Sequence, residues 1–426
     1  MERRAPVGLA AALERDEARS QIELLFVWAF SRLLVFLLAT RHGSDVPFYR
    51  DVATRVFAGE RPYIDFPLDH PPAALASMLL PAFVRFMDYD MAFRALLVAC
   101  DLFVFVGLGR VARSISSEPG VLRNVQWMYV WIGAISFPFL LDRVDGVLVA
   151  LILVAVLLGA RGRMGWGYVV LLFCFGMNAG TWVLWGPWLL ADVRSRKSWR
   201  GPLARFAIAA GTLILVAAVG IAWLGPGLSA PLTYHWLHGT EVESVAASPF
   251  LVAHVMGAAQ QVDGSTGTLR LQLSPGMQQA SLLLRAILLA CFWFFVFRRF
   301  RWHDSGGEST ARVAWLATGI VVHLLLFQLL SSVLLPQYIG WAAPLACALI
   351  VVARPAQRWR ALWLGVMAMT VAVFPMQAVQ LERLESTAVW TLLLRNTILV
   401  ILFIWSCRLW MTHDTRIDNI PRRQPG

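Results

Sequence analysis

An all-α polytopic membrane helix bundle is the fold class this sequence predicts, and three observations predict it. Of 426 residues, 58% are hydrophobic and 15% charged, against roughly 45–50% and about 25% in soluble domains. Mean hydropathy is +0.63. The apolar residues are gathered into long runs, the signature of membrane helices. The net charge of +11 sits in short clusters between those runs, as in cytoplasmic membrane loops, and so does not point to nucleic acid. Disordered, fibrous and ordinary cytosolic classes are excluded. Lys197 is the only lysine, so arginine abundance reads as genomic base composition rather than function.

The first twenty residues carry Arg3, Arg4, Arg15 and Arg19 with no small-residue cleavage site after them. They are expected to form a cytoplasmic segment (1–20) ahead of a retained signal anchor at 21–40. Further apolar runs lie near 91–110, 123–141, 146–160, 164–178, 180–192, 203–224, 280–297, 313–330, 338–353, 359–378 and 388–407. Several fall short of the roughly 20 residues a straight span needs, so some helices should be thin, tilted or packed inside the bundle. The stretch Pro71–Met87 decides the topology. Laid along the membrane surface, it leaves Arg110–Arg123, Arg161–Arg163, Arg194–Arg205, Arg298–Arg312, Arg354–Arg360 and Arg408–Arg423 all on one side. The positive-inside rule then predicts about twelve spans with both termini cytoplasmic. Residues 21–410 form the transmembrane domain and 411–426 a cytoplasmic tail. A tight hairpin at Asn178–Thr181 is required. Cys100, Cys174, Cys291, Cys347 and Cys407 lie in or beside apolar runs without pairing or metal spacing and read as small core residues.

Two outer segments, about 41–90 and 225–279, are too long to be connectors, and loops of that length are functional or disordered. The first is ordered in composition. Asp45 precedes a helix expected over Pro47–Ala58, with Val46, Tyr49, Val52, Val56 and Phe57 on one face and Arg50, Asp51, Thr54 and Arg55 on another. The plain reading of Asp45 is a helix N-cap. Arg143 and Asp145 read plainly as an ion pair pinning a span end, Glu241 and Glu243 as a solvated loop face, and Gln337, Tyr338 and Trp341 as an interfacial belt. Arg41, His235, His238 and His323 are further outer-side candidates. Asp101, Arg32, Arg285 and Arg395 fall inside apolar runs. A charge there costs roughly 2.5–3.5 kcal/mol at a helix centre on insertion scales, so each should face protein or a cavity. No partner for Asp101 is evident.

These residues also resemble a known family. Asp45 with Tyr49 four on, then Gly59-Glu-Arg-Pro-Tyr63 and Asp69 before Pro71-Pro72, are similar to the first outer loop of GT-C glycosyltransferases. The bacterial glycosyltransferase 87 family of polyprenyl-phosphate-mannose-dependent α-mannosyltransferases is the one they resemble most. Three more echoes follow in that family's order: Arg143-Val-Asp145, Gly239-Thr-Glu-Val-Glu-Ser244 and Leu335-Pro-Gln-Tyr-Ile-Gly-Trp341. The chain departs from the family where lysines are common, reading Met177-Asn-Ala-Gly180 and Ser332 to Leu335, and where an arginine is common, at His238. The resemblance implies an inverting enzyme that moves a sugar, mannose in that family, from a polyprenyl-phosphate donor to an extracytoplasmic glycolipid or glycan acceptor. Asp45 would be the general base. Tyr49, Asp69, His70, Arg143, Asp145, His238, Glu243, Gln337 and Tyr338 would contact substrate. No metal is expected, nor any cofactor beyond the lipid-linked sugar. Membrane lipids are the other partners, and nucleic acid is not among them.

Two other readings stay open. A twelve-span transporter or flippase would concentrate charge at the midplane and show internal symmetry, and no repeat is visible. A family member that only binds lipid-linked sugar is the other. P-loop, Rossmann, His-Glu-x-x-His and Gly-x-Ser-x-Gly patterns are missing from the sequence. His235 and His238 do not make a zinc site without a third ligand.

The topology is open to test. A cysteine placed at Ser195 in an otherwise cysteine-free chain is expected to be labelled by an impermeant thiol reagent only after the membrane is permeabilised. Labelling of intact cells would overturn the orientation.

Overall fold

The structure, a computed structural model, describes residues 7–38, 44–116, 118, 120–231, 239–264, 268–299 and 309–417. Each apolar run forms a helix. In chain order these are α1 (Val7–Leu38), α4 (Tyr89–Ile115), α5 (Val121–Ile135), α7 (Asp145–Ala160), α8 (Met164–Met177), α9 (Trp185–Arg196) and α10 (Arg200–Leu224). They continue with α12 (Pro275–Arg299), α13 (Ser309–Leu330), α14 (Pro336–Leu349), α15 (Ala356–Val371) and α17 (Ser386–Ile417). Short helices lie between them: α2 (Val46–Phe57), α3 (Pro72–Leu79), α6 (Phe137–Leu140), α11 (Ser248–Val255) and α16 (Ala378–Glu382). Seven helices are long and apolar enough to cross a membrane. The chain is thus an all-α polytopic membrane bundle. Helices α5, α7, α8, α9 and α14 have only 12 to 16 residues, the short runs the sequence expected. The first and last long helices run past residues 20 and 411, so parts of the expected cytoplasmic segments continue them.

Burial sorts the helices into layers. The window that would span in α13 is 89% buried, against 6% in α10 and 0% in α12. Every residue of α14 that faces a neighbour is packed, Tyr338, Trp341 and Leu345 among them. Helices α13 and α14 therefore form the centre. Helices α10 and α12 present leucine, isoleucine, valine and phenylalanine outward, an apolar surface suited to lipid. Helix α3 has 8 residues and passes directly into a 3₁₀ turn at Leu80–Phe83. It is not among the seven helices long and apolar enough to cross a membrane.

Helix starts and stops follow local chemistry. The Asp88 side chain accepts from Met91 N at 2.8 Å and caps α4. Gly162, at φ 72°, supplies the left-handed turn between α7 and α8. Asn178 accepts from Gly180 N at 2.9 Å and starts the 3₁₀ turn into α9, which is the tight hairpin expected there. The α4–α5, α7–α8, α9–α10 and α14–α15 turns share one end of the bundle. Arg354 meets Glu118 at 3.9 Å there, and Arg205 meets Asp192 at 2.8 Å.

One departure from the all-α expectation lies in the second outer segment. Strands β1 (Thr240–Glu241), β2 (Val262–Asp263) and β3 (Arg270–Leu271) form a small antiparallel sheet in the order β1-β3-β2. Val242 and Leu271 of the sheet region and Leu251 of α11 pack on Val373 just after α15, Leu381 of α16 and Val389 and Leu392 near the start of α17. A two-residue strand leaves no alternation pattern long enough to read in sequence.

The charges in apolar runs find one another. Arg32 Nε donates to Asp101 Oδ2 at 2.7 Å, and Trp28 Nε1 donates to the same oxygen at 2.7 Å. Tyr129 Oη donates to Asp101 Oδ1 at 2.5 Å. The guanidinium lies flat against Gly133, where any Cβ would collide with it. Asp101, for which the sequence offered no partner, is thus the buried acceptor joining α1, α4 and α5. Removing one member leaves the other uncompensated, at about 3–5 kcal/mol. Asp101→Ala is therefore expected to lower the thermal midpoint of the detergent-solubilised protein sharply. Asp101→Leu combined with Arg32→Met should recover a large part. Equal midpoints for wild type and Asp101→Ala would refute the role of the pair.

Candidate functional site

A cavity of about 650 Å³ lies at the end of the bundle opposite the basic turns. Each wall comes from a segment at that end of a helix. The α1–α2 connection supplies Ser44 and Asp45, α2 supplies Tyr49, and the first loop supplies Asp69 and His70. Arg143 and Asp145 stand at the head of α7, Asn178 at the α8–α9 hairpin, and Gln337 and Tyr338 at the head of α14. Glu241, Glu243 and Thr268 close it from the sheet, with Phe374 and Glu382 from the α15–α17 connection.

Asp45 occupies the N-cap position of α2, but its side chain makes no capping bond. The carboxylate instead contacts the Arg143 guanidinium and accepts from Tyr49 Oη at 3.2 Å. The plain capping reading therefore does not describe it. Tyr49 is held from below by Phe93, ring centroids 5.2 Å apart, and at its edge by His70 at 5.8 Å. Burial pushes the Tyr49 phenol well up, so it stays protonated and can donate. His70 is fixed through its carbonyl, which accepts from Tyr63 Oη at 2.6 Å. Burial lowers its imidazole to about 4, so it stands neutral. Burial also pulls the Arg143 guanidinium downward, against the pull of nearby Asp145 and Tyr338.

Arg143 and Asp145 do more than pin a span end. Trp341 Nε1 donates to Asp145 Oδ1 at 2.7 Å across 196 residues of sequence. Trp341 is 1% exposed and stacks on Phe327 and Tyr338, at centroid distances of 5.7 and 4.5 Å. It is a core residue rather than part of an interfacial belt, because Asp145 gives its indole N–H a buried partner. Glu241 and Glu243 are likewise not a solvated face. Arg395 Nη1 donates to Glu243 Oε2 at 3.2 Å, and Nη2 donates to the Glu243 carbonyl. The next residue, Asn396, donates to Ser248 Oγ at 2.9 Å and to the Ser244 carbonyl at 3.3 Å. Two consecutive polar residues of α17 thus clamp the 241–248 strap from beneath.

Of the residues expected to contact substrate, Asp45, Tyr49, Asp69, His70, Arg143, Asp145, Glu243, Gln337 and Tyr338 all line this one cavity. His238, like Arg41 and His235, lies outside the described residues. His323 does not reach the cavity. It is buried on α13 among Phe292, Trp293 and Trp410, with Nδ1 against the Gly319 carbonyl at 2.7 Å. Phe57, expected on the buried face of α2, is exposed and meets only Phe83 at 5.3 Å, while Ala53 takes the buried place. Glu382 and Thr268 join the wall without having been singled out, and Asn178, marked in the sequence only as the hairpin and as a departure from the family's lysine, lines it too. No group of three or more His, Cys, Asp or Glu residues among the described ones could hold a metal ion. The lining carries carboxyls at Asp45, Asp69, Asp145, Glu241, Glu243 and Glu382, with Arg143 as its sole arginine or lysine among the described residues.

No family model matches the chain, and no curated protein matches it. Two solved structures of ArnT from Cupriavidus metallidurans are similar in fold. The apo state shares 15% identity at a TM-score of 0.47 and covers 95% of this chain and 78% of its own. The form bound to undecaprenyl phosphate shares 13% identity at a TM-score of 0.47 and covers 96% and 78%.

The clamp on the strap is testable by a double-mutant cycle. Arg395→Met alone strands the Glu243 carboxylate, and Glu243→Gln alone strands the guanidinium. The two single losses of stability should sum to more than the loss in the double variant, with a coupling of roughly 0.5–3 kcal/mol. Strict additivity would show that the pair is not a clamp.

Proposed function

We propose that this protein is a GT-C-like, inverting glycosyltransferase of the cell membrane. Its active face is extracytoplasmic and both termini are cytoplasmic. Its donor is a polyprenyl-phosphate sugar, mannose being the first to test, and its acceptor is a glycolipid or glycan hydroxyl. The observation that carries this reading is Asp45, a carboxylate at a helix N-cap that does not cap and is turned instead into an outer cavity, against Arg143 and Tyr49. A structural cap would spend its oxygens on the α2 backbone amides.

In the proposed reaction the acceptor hydroxyl loses its proton to Asp45 as its oxygen bonds to the anomeric carbon. The bond from that carbon to the phosphate oxygen breaks, and the lipid phosphate leaves with the electron pair. One displacement inverts the centre and requires one essential carboxylate. General-base assistance of this kind contributes typically about 10²–10⁴-fold, and positioning contributes much of the remainder. Arg143 is the cation placed to meet charge growing on the leaving phosphate. Asp69, Glu243 and Gln337 suit sugar hydroxyls, which both donate and accept. A transporter would be favoured by unsatisfied charge along a midplane path. The Arg32–Asp101 pair is instead closed by Trp28 and Tyr129 and 2% and 5% exposed at its two side chains, which suits a structural role.

Asp45→Asn is the test. Asparagine keeps the shape and caps about as well as aspartate, but its amide cannot take a proton. Transfer of radiolabelled mannose from polyprenyl-phosphate mannose in membranes is expected to fall by about 10²-fold or more. Asp51→Asn, on the exposed face of the same helix, should retain activity. Equal activity of the two variants at equal expression would exclude Asp45 as base. No transfer by the unmutated protein from any lipid-phosphate sugar would favour the transporter or binding-only readings.

A further inference from the structure

We propose that Glu241 is kept as a neutral carboxylic acid in the cavity wall and donates a hydrogen bond from Oε1 to a phosphate oxygen of the bound lipid, so that donor binding is coupled to a proton on this residue. The inference rests on the lipid-phosphate reading above and deepens it.

The geometry sets Glu241 apart from the other carboxyls. It lies on β1, 3% exposed, with its backbone N–H donating to the Ser332 carbonyl at 2.9 Å. Its Oε2 accepts from Leu334 N at 3.2 Å, which ties it to the turn leading into α14. Its Oε1 is buried at the cavity wall and makes no hydrogen bond among the described residues. Thr268 of the same wall also interacts with this carboxyl; ionised, an oxygen so buried is a costly charge, and protonated it is a hydrogen-bond donor.

Its neighbours do not supply the charge that an ionised form would need. Glu243, two residues on, is a second acid, and its compensating cation, Arg395, is already hydrogen-bonded to it. Arg270 stands opposite on β3 and draws Glu241 the other way. The Leu334 amide and Thr268 also favour the ionised form, yet burial and Glu243 outweigh them, and the carboxyl is pushed up to about 8. Two glutamates two residues apart thus take opposite roles, one neutralised by an arginine and one by a proton.

The ligand this suits is an acceptor-only oxyanion. A sugar hydroxyl can donate or accept, so it would bind either form of Glu241. Phosphate oxygens can only accept, so they need the proton and are repelled by the carboxylate. In a cavity where Arg143 already faces Asp45, removing one negative charge from the wall is what lets a phosphate enter. The sign follows. At pH 7 Glu241 carries its proton and binding is strong. As pH rises through about 8 the proton is lost, and affinity falls by up to about tenfold per pH unit. His70 at about 4, the raised Tyr49 phenol and a phosphate monoester near 6 titrate outside that window.

The test is calorimetric titration of the purified full-length protein in detergent with a polyprenyl phosphate, from pH 7 to pH 9. Buffers of different ionisation enthalpy report proton uptake. The wild type is expected to lose affinity above pH 8 and, there, to take up close to one proton on binding. Glu241→Gln, which keeps a donor but cannot titrate, should bind without alkaline loss or proton uptake. Glu243→Gln, which removes a neighbouring negative charge that disfavours ionisation of Glu241, should move the alkaline loss to lower pH without abolishing it. Parallel loss in wild type and Glu241→Gln, or binding that is flat with pH in both, would overturn the role of Glu241 while leaving the phosphate reading intact. No binding by either at pH 7 would overturn the lipid-phosphate reading and this inference with it.

Discussion

Two residues at the head of α7 hold the outer end of the bundle together. Arg143 reaches the Asp45 carboxylate of the first loop, and Asp145 accepts the indole N–H of Trp341 in α14. Both side chains are largely or wholly removed from water, where an isolated charge is not tolerated. Their partners therefore have to be present, and those partners come from far apart in the chain. The position of α2 against the bundle, the depth of Trp341 in the centre and the shape of the cavity all follow from satisfying this one three-residue stretch.

The same constraint is met elsewhere by different means. Asp101 gathers an arginine, an indole and a phenol from helices α1, α4 and α5. Arg395 and Asn396 reach out of α17 to clamp a loop that is also tied to the turn before α14 through Glu241. In each case the low dielectric that makes an unpaired charge costly also makes a paired one directional, because a satisfied network has a single geometry.

Charge is also segregated along the bundle axis. The arginine-rich turns share one end, and the acid-rich cavity occupies the other. Six carboxyls with one arginine would form a poor site for a phosphate if all were ionised and bare. They are not bare. Asp45 lies against Arg143, Glu243 against Arg395, Asp145 accepts from Trp341, and burial drives Glu241 towards its neutral form. The wall presents less negative charge than its composition implies, and pairing decides which carboxyls remain available for chemistry.

By itself the sequence determined the helical membrane class, the position of every long helix and the hairpin at Asn178. All of these depend on local hydrophobicity, helix length and charge between runs. It also marked many of the residues that line the cavity, since two segments too long to be connectors carry them. Only the tertiary structure decided which of those residues are paired. Asp101 meeting Arg32 and Tyr129, Trp341 donating to Asp145 across 196 residues, and Arg395 reaching Glu243 across 152 have no periodic or motif signature. The small sheet and the burial of Glu241 were likewise invisible, because a two-residue strand has no pattern. The physical reason is common to all: burial and partner are properties of the space between helices, set by packing, and the linear sequence specifies a residue's chemistry but not the dielectric around it.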